Sequence, residues 1–84
     1  MSRDRQIIIL SQMKAGQSGT IVQIRGGRGF TRRLEVLGVF TGKAVTMVNS
    51  TFFRGPVTIR VGSTQVAIGF GMTRHILVEL DGRF

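Results

Sequence analysis

The sequence predicts an all-β fold: a small, partly open β-barrel of about five strands with one short helix. Three observations predict it. Apolar residues recur at every second position through most of the C-terminal half, the signature of half-buried strands. Twelve glycines stand against a single proline and break the apolar segments into short runs, as tight turns require. The chain has 84 residues, which leaves no room for the long crossovers that join parallel strands. A barrel is the natural solution for such strands because closure hides sheet edges. One domain and one core fit this length, and a chain so short buries only about 60–65% of its unfolded surface.

Taken in order, residues 1–9 start polar and turn apolar, and are read as an N-terminal tail or an added edge strand; residues 10–84 form the domain. Ser11 to Gly19 is turn-rich. Thr20 to Arg25 reads as a strand because Thr20, Ile21, Val22 and Ile24 are β-branched. Gly26-Gly27-Arg28-Gly29 reads as a loop. Thr31 to Leu37 is the one expected helix, with the Thr31 hydroxyl as its cap and Gly38 ending it in a left-handed conformation. Two turns are marginal in water, so packing must hold this helix. Val45 and Met47 then share one strand face. Val57, Ile59 and Val61 alternate with Thr58 and Arg60, and Val66, Ile68 and Phe70 alternate with Gln65, Ala67 and Gly69. Gly62-Ser63 between these two runs fits a two-residue type II′ hairpin. Pro56 stands at the start of its strand, where a missing N–H costs little. Ile76, Val78 and Leu80 close the pattern. There is no internal repeat and no low-complexity tract.

Composition narrows the function. The chain has no cysteine, which excludes disulfides, thiolate zinc sites and a cysteine nucleophile. Its longest unbroken apolar run, Ile7 to Leu10, is far too short to span a bilayer or to form a signal-peptide core. The expectation is a soluble, cytoplasmic protein. Twelve Lys and Arg against four Asp and Glu give a formal charge of +8. That charge suits an anionic partner: nucleic acid, an acidic protein face or the inner leaflet of a membrane. The plain alternative is that charge keeps a small domain in solution.

No reactive constellation stands out. The glycine pairs lack the third glycine of a dinucleotide fingerprint, since Gly27-x-Gly29 is followed by Arg32, and there is no P-loop. Serines, His75 and four acids carry no nucleophile-elbow or other local signature. The expectation is no enzyme, no catalytic residue and no cofactor. On an extended strand His75, Leu77 and Glu79 would share a face. His75 and Glu79 are therefore weak metal-ligand candidates, two groups where a real site needs three or four. Arg25-Gly26-Gly27-Arg28-Gly29-Phe30 looks like a single RNA-binding RGG unit, but such units act by repetition in disordered tails, and an ordinary loop is the preferred reading. Base-stacking aromatics are scarce: six Phe, no Tyr and no Trp, with several Phe expected in the core.

The helix is the better candidate. Arg32, Arg33 and Glu35 cannot all point inward on two turns, so they form a charged surface beside an apolar groove. Arg32, Arg33, Leu34 and Leu37 are the candidate partner-binding residues, although the core is the favoured place for Leu37.

Several segments in sequence order resemble one family. Leu10-Ser11-x-Met13-x-x-Gly16-x-x-Gly19, then Arg32-Arg33-Leu34-x-x-Leu37-Gly38 with Gly42, then Gly55-Pro56-Val57-x-Ile59-x-Val61, then Ile76-x-Val78-Glu79, are similar to the pattern of FeoA domains over roughly residues 10–80. The resemblance implies an SH3-like barrel. It implies a cytosolic partner of FeoB, a membrane ferrous-iron transporter with a GTP-binding domain, that binds and modulates that transporter. The same fold closes iron- and manganese-dependent repressors. Ala15 and Thr41 replace the prolines the family often has before Gly16 and Gly42. Gly69, Gly71 and Met72 replace a more polar, helix-prone stretch, which leaves residues 69–74 unassigned. Gly16-x-x-Gly19-x-Ile21-x-x-Ile24 also resembles the opening of ribosome-associated KOW modules, so an SH3-like nucleic-acid-binding module is the alternative function. The oligomeric state stays open, a homo-oligomer included.

Overall fold

Period-two alternation becomes one antiparallel sheet. The computed structural model describes residues 6–50 and 55–81; residues 1–5 of the expected tail lie outside them. Six strands form: β1 (Ile7–Ile9), β2 (Ser18–Ile24), β3 (Ala44–Asn49), β4 (Val57–Val61), β5 (Thr64–Ile68) and β6 (Ile76–Leu80). Their spatial order is β1-β6-β2-β3-β4-β5. The count exceeds the expected five or so because β1 is a short edge strand, three residues paired with β6. Among the described residues no ladder joins β1 to β5, so the barrel stays open along that seam.

The buried positions are those the alternation selects. Val45 and Met47 of β3, Val57, Ile59 and Val61 of β4, Val66 and Ile68 of β5, and Ile76 and Val78 of β6 all lie in one cluster. Leu10 and Met13 enter it from a 3-10 turn, Leu10–Gln12, and the residue after it. Residues from near both ends of the strand order thus share one core, so the sheet is curled. Fully burying each Leu, Ile or Val contributes about 1.5–3 kcal/mol. No described phenylalanine belongs to that buried set. Phe30 packs partly buried against it, while Phe40 and Phe70 are exposed, so the core is aliphatic and methionine rather than aromatic.

Two features fix the register. At the β4–β5 hairpin Val61 pairs with Thr64 across Gly62-Ser63; Gly62 has φ +65, and no described residue other than glycine has positive φ. That matches a type II′ turn, where only the first central residue is left-handed. In β2, Gly19 lies so close to β6 that a Cβ there would sit 2.5 Å from the Glu79 carbonyl oxygen. A shift in register between Ile21 and Gln23 follows, which adds local twist and carries the end of β2 toward the first helix.

Three expectations need correction. Only Gly26 and Gly27 of the expected Gly26–Gly29 loop lie outside a helix, and the helix starts before Thr31. Helix α1 spans Arg28–Val36 with Gly27 as its N-cap, and the Thr31 hydroxyl, one turn inside, donates back to the Gly27 carbonyl at 3.1 Å. The glycine pair supplies the bend: Gly26 has φ +137, and the Phe30 ring occupies the space where its Cβ would be. The RGG unit is therefore a helix start. Phe70 does not continue β5 inward. It opens a one-turn helix α2 (Phe70–Thr73), which settles the unassigned residues and lets the Thr73 hydroxyl donate to the Phe70 carbonyl at 2.6 Å. His75 lies in the turn before β6, not on the strand face with Glu79.

Candidate functional site

α1 separates an inner residue from an outer surface, and the way it ends decides which leucine is which. The Gly38 N–H donates to the Glu35 carbonyl and the Val39 N–H to the Leu34 carbonyl, both at 2.9 Å, with Gly38 at φ +87. This is a Schellman ending, whose left-handed glycine folds the next residue back over the helix. Val39 therefore joins Leu34 in the core, each 0% exposed, and Leu37 is turned out at 45%. The expectation that Leu37 is core is thus corrected. Leu34 cannot offer a side chain to a partner, because the core already uses all of it.

The other sequence candidates lie on the surface. Arg32 and Arg33 are exposed and make no ion pair among the described residues. Arg28, one turn before Arg32, is also exposed, as is Val36, one turn after it, at 81%. Residues four apart share a helix side, so Arg28, Arg32 and Val36 form the outer crest. Arg33 and Leu37 flank it on one side, again four apart. Thr31 and Glu35 flank it on the other.

That second flank borders two shallow grooves. One, of ≈ 530 Å³, is lined by Ile24, Thr31, Glu35, Phe40 and Thr41. The other, of ≈ 430 Å³, runs beside Gly26, Arg28, Arg32 and Glu35. Phe40 is 41% exposed, and the Lys43 ammonium sits 5.6 Å from its ring centroid, a cation–π arrangement. The surface is thus apolar at the C-terminal end of α1 and cationic along the rest. Such a surface can bind an anionic or amphipathic partner; it brings no nucleophile, base and acid together.

Sequence reasoning missed Arg28, Val36 and Phe40. Arg28 was hidden by the glycines around it. Val36 could have been found, since it follows Leu34 by two residues and so lies on the far side of a helix. Phe40 sits in the turn after Gly38, where apolar character alone gives no direction.

The metal candidates do not converge. His75 is exposed and packs edge-on against Phe30, ring centroids 5.4 Å apart. Glu79 sits well along β6, opposite Thr20 and Ile7. Among the described residues no three His, Cys, Asp or Glu side chains gather where an ion could be held. No described helix is long and apolar enough to cross a membrane.

Comparison with known proteins places the architecture. The FeoA domain model matches residues 8–80. The crystal structure of an iron uptake regulatory protein (FeoA) shares 30% sequence identity, covers 90% of this chain and 100% of its own, and superposes with a TM-score of 0.85. A Stenotrophomonas maltophilia FeoA complexed with zinc, described as a procaryotic SH3 domain protein, is 24% identical over 84% of this chain and 88% of its own, with a TM-score of 0.71. A manganese-dependent transcriptional repressor is 18% identical with a TM-score of 0.83; the match covers 94% of this chain but 44% of the repressor. The last two likenesses establish the SH3-like fold alone. No curated protein sequence matches the chain.

Proposed function

The chain belongs to the FeoA family, and from that membership we propose that it is a cytoplasmic accessory protein of ferrous-iron uptake that docks on the cytosolic part of a FeoB-type membrane transporter and modulates it. The observation that carries the reading is the exposure of Val36 and Leu37 beside the unpaired guanidiniums of Arg32 and Arg33 on α1. An apolar anchor with an arginine rim is the composition that protein contacts favour. The mechanism is binding alone. A rigid barrel fixes the helix, the helix presents the anchor, and positive charge speeds encounter with an acidic partner. Iron need not touch the adaptor, which fits the dispersed positions of His75 and Glu79.

The test replaces Arg33 with Glu and Leu37 with Asp in one variant. Both side chains are exposed, so the fold should survive, as circular dichroism would report. Co-purification with the transporter's cytosolic part should fall by about tenfold or more, since central anchors of an interface each contribute 2 kcal/mol or more. Wild-type co-purification by a folded double variant would remove α1 from the docking face.

A further inference from the structure

Net positive charge is concentrated at one end of the barrel. β2 and β6 run antiparallel, with Gly19 opposite Leu80 and Ile24 opposite Ile76. Glu79 lies opposite Thr20, and the Asp81 N–H donates to the Ser18 carbonyl. Both carboxylates therefore lie toward the end where β2 begins, and Lys14, in the turn before β2, and Arg60, level with Thr46 and Ser18, balance them there. At the other end the Arg25 N–H donates to the His75 carbonyl, which brings Arg25 and Arg74 beside the start of α1. Arg28, Arg32 and Arg33 follow on the helix. Lys43 joins them through its carbonyl, which accepts the Ile21 N–H, and through its ammonium over Phe40. Glu35 is the one carboxylate at this end among the described residues. Arg28 stands in the first turn of a helix that has no acid there, against the direction its dipole favours, whereas Arg33 in the last turn lies with it. Helix stability therefore does not account for Arg28.

The same end carries Val36, Leu37 and Phe40, exposed at 81%, 45% and 41%. Val36 and Leu37 line neither groove. Val36 protrudes from the crest and Leu37 from its flank, with arginines around them.

We propose that the α1 end is a reversible binding surface for anionic lipid bilayers. Val36, Leu37 and Phe40 enter the headgroup region, and Arg28, Arg32, Arg33 and Lys43 meet the lipid phosphates. Protruding apolar side chains suit a deformable surface, whereas a rigid protein partner must match them with a hollow. Long basic side chains reach headgroups while their stems lie on apolar neighbours. Nucleic acid fits less well. Its phosphates have no use for Val36 and Leu37, and the exposed Phe40 ring already holds Lys43. The proposal goes beyond transporter docking and does not depend on it. α1 serves both in turn, with lipid concentrating the chain at the membrane and a protein partner then displacing headgroups from Arg33 and Leu37.

The full chain is sedimented with phosphatidylcholine vesicles, and with the same vesicles holding about 30% phosphatidylglycerol, at ~0.1 M and ~0.5 M salt. Binding should favour the anionic vesicles by about tenfold or more and weaken by about as much at the higher salt. Arg32→Gln with Arg33→Gln should lower the anionic preference. Val36→Ser, Leu37→Ser and Phe40→Ser together leave the charge unchanged and should weaken binding about tenfold; Val36→Ser alone, at the most exposed site, should weaken it in the same direction if the triple variant fails to fold. Equal binding to both vesicles overturns the proposal, and so does anionic binding that the folded serine variants leave unchanged. An oligonucleotide that displaces the chain from vesicles and binds the serine variants as well as wild type overturns it in favour of nucleic acid. The vesicles contain no transporter, so failure here leaves the docking reading standing, and failure of docking leaves this one.

Discussion

Leu34 and Val36 are two residues apart on α1 and meet opposite surroundings. Leu34 is 0% exposed and Val36 81%. The barrel takes one side chain from the helix, adds Val39 through the Schellman turn, and has partly buried Phe30 packed alongside. The crest is left with arginines and apolar groups that no folding contact uses. A chain this small has little surplus stability, and Arg28, Arg32, Arg33 and Val36, all exposed, add little to it. The comparison predicts that inner positions are costly to change and outer positions are not.

The largest effect expected is at Leu34. Leu34→Ala removes fully buried methyl groups where the helix meets the core, and should lower unfolding free energy by about 2–5 kcal/mol in a urea titration. A loss under about 1 kcal/mol would mean that α1 is not anchored through this residue, and the contrast with Val36 would dissolve.

A second test moves the contrast to glycines. At Gly19 a new Cβ would stand 2.5 Å from the Glu79 carbonyl oxygen and 2.7 Å from Val78 Cγ1. Two paired strands would have to move apart to admit it, so Gly19→Ala should destabilise by about 1–3 kcal/mol, as overpacking does. A thermal midpoint equal to wild type would show that the β2–β6 contact is looser than its geometry implies.

How far the sequence could be read follows the same line. The strands were legible because alternation has one period and each inward residue repeats the evidence of its neighbour: Val57, Ile59 and Val61 agree with one another. The hairpin at Gly62-Ser63 was legible because its backbone needs a glycine. The start of α1 was not. Gly27 caps it without a side chain, and Gly26 and Gly29 give the segment the composition of a loop. Arg32 and Arg33 were legible as surface, since charge rarely goes inside unpaired. Leu34 and Leu37 were not separable, because residues three apart share a helix face and only the turn at Gly38 breaks the tie. His75 was misplaced for a related reason. α2 ends just before it, and a four-residue helix rich in glycine and methionine leaves no periodic trace.

The smallest effect, and the one that separates the two sides of α1 most sharply, is at Gly29. This glycine lies in the first turn of the helix, it is exposed, and a Cβ added there would meet nothing within 4 Å. Its φ lies outside the left-handed region, unlike that of Gly26 or Gly38. Gly29→Ala should therefore stabilise the protein by about 0.4–1 kcal/mol, because alanine has fewer unfolded conformations to lose and a better helix propensity. The same methyl group that disrupts β2 at Gly19 should strengthen α1 at Gly29. Urea midpoints of the two variants, measured against wild type, should move in opposite directions. If Gly29→Ala also destabilised, the outer start of α1 would be packed against something within the chain, and its arginines would no longer count as free for a partner.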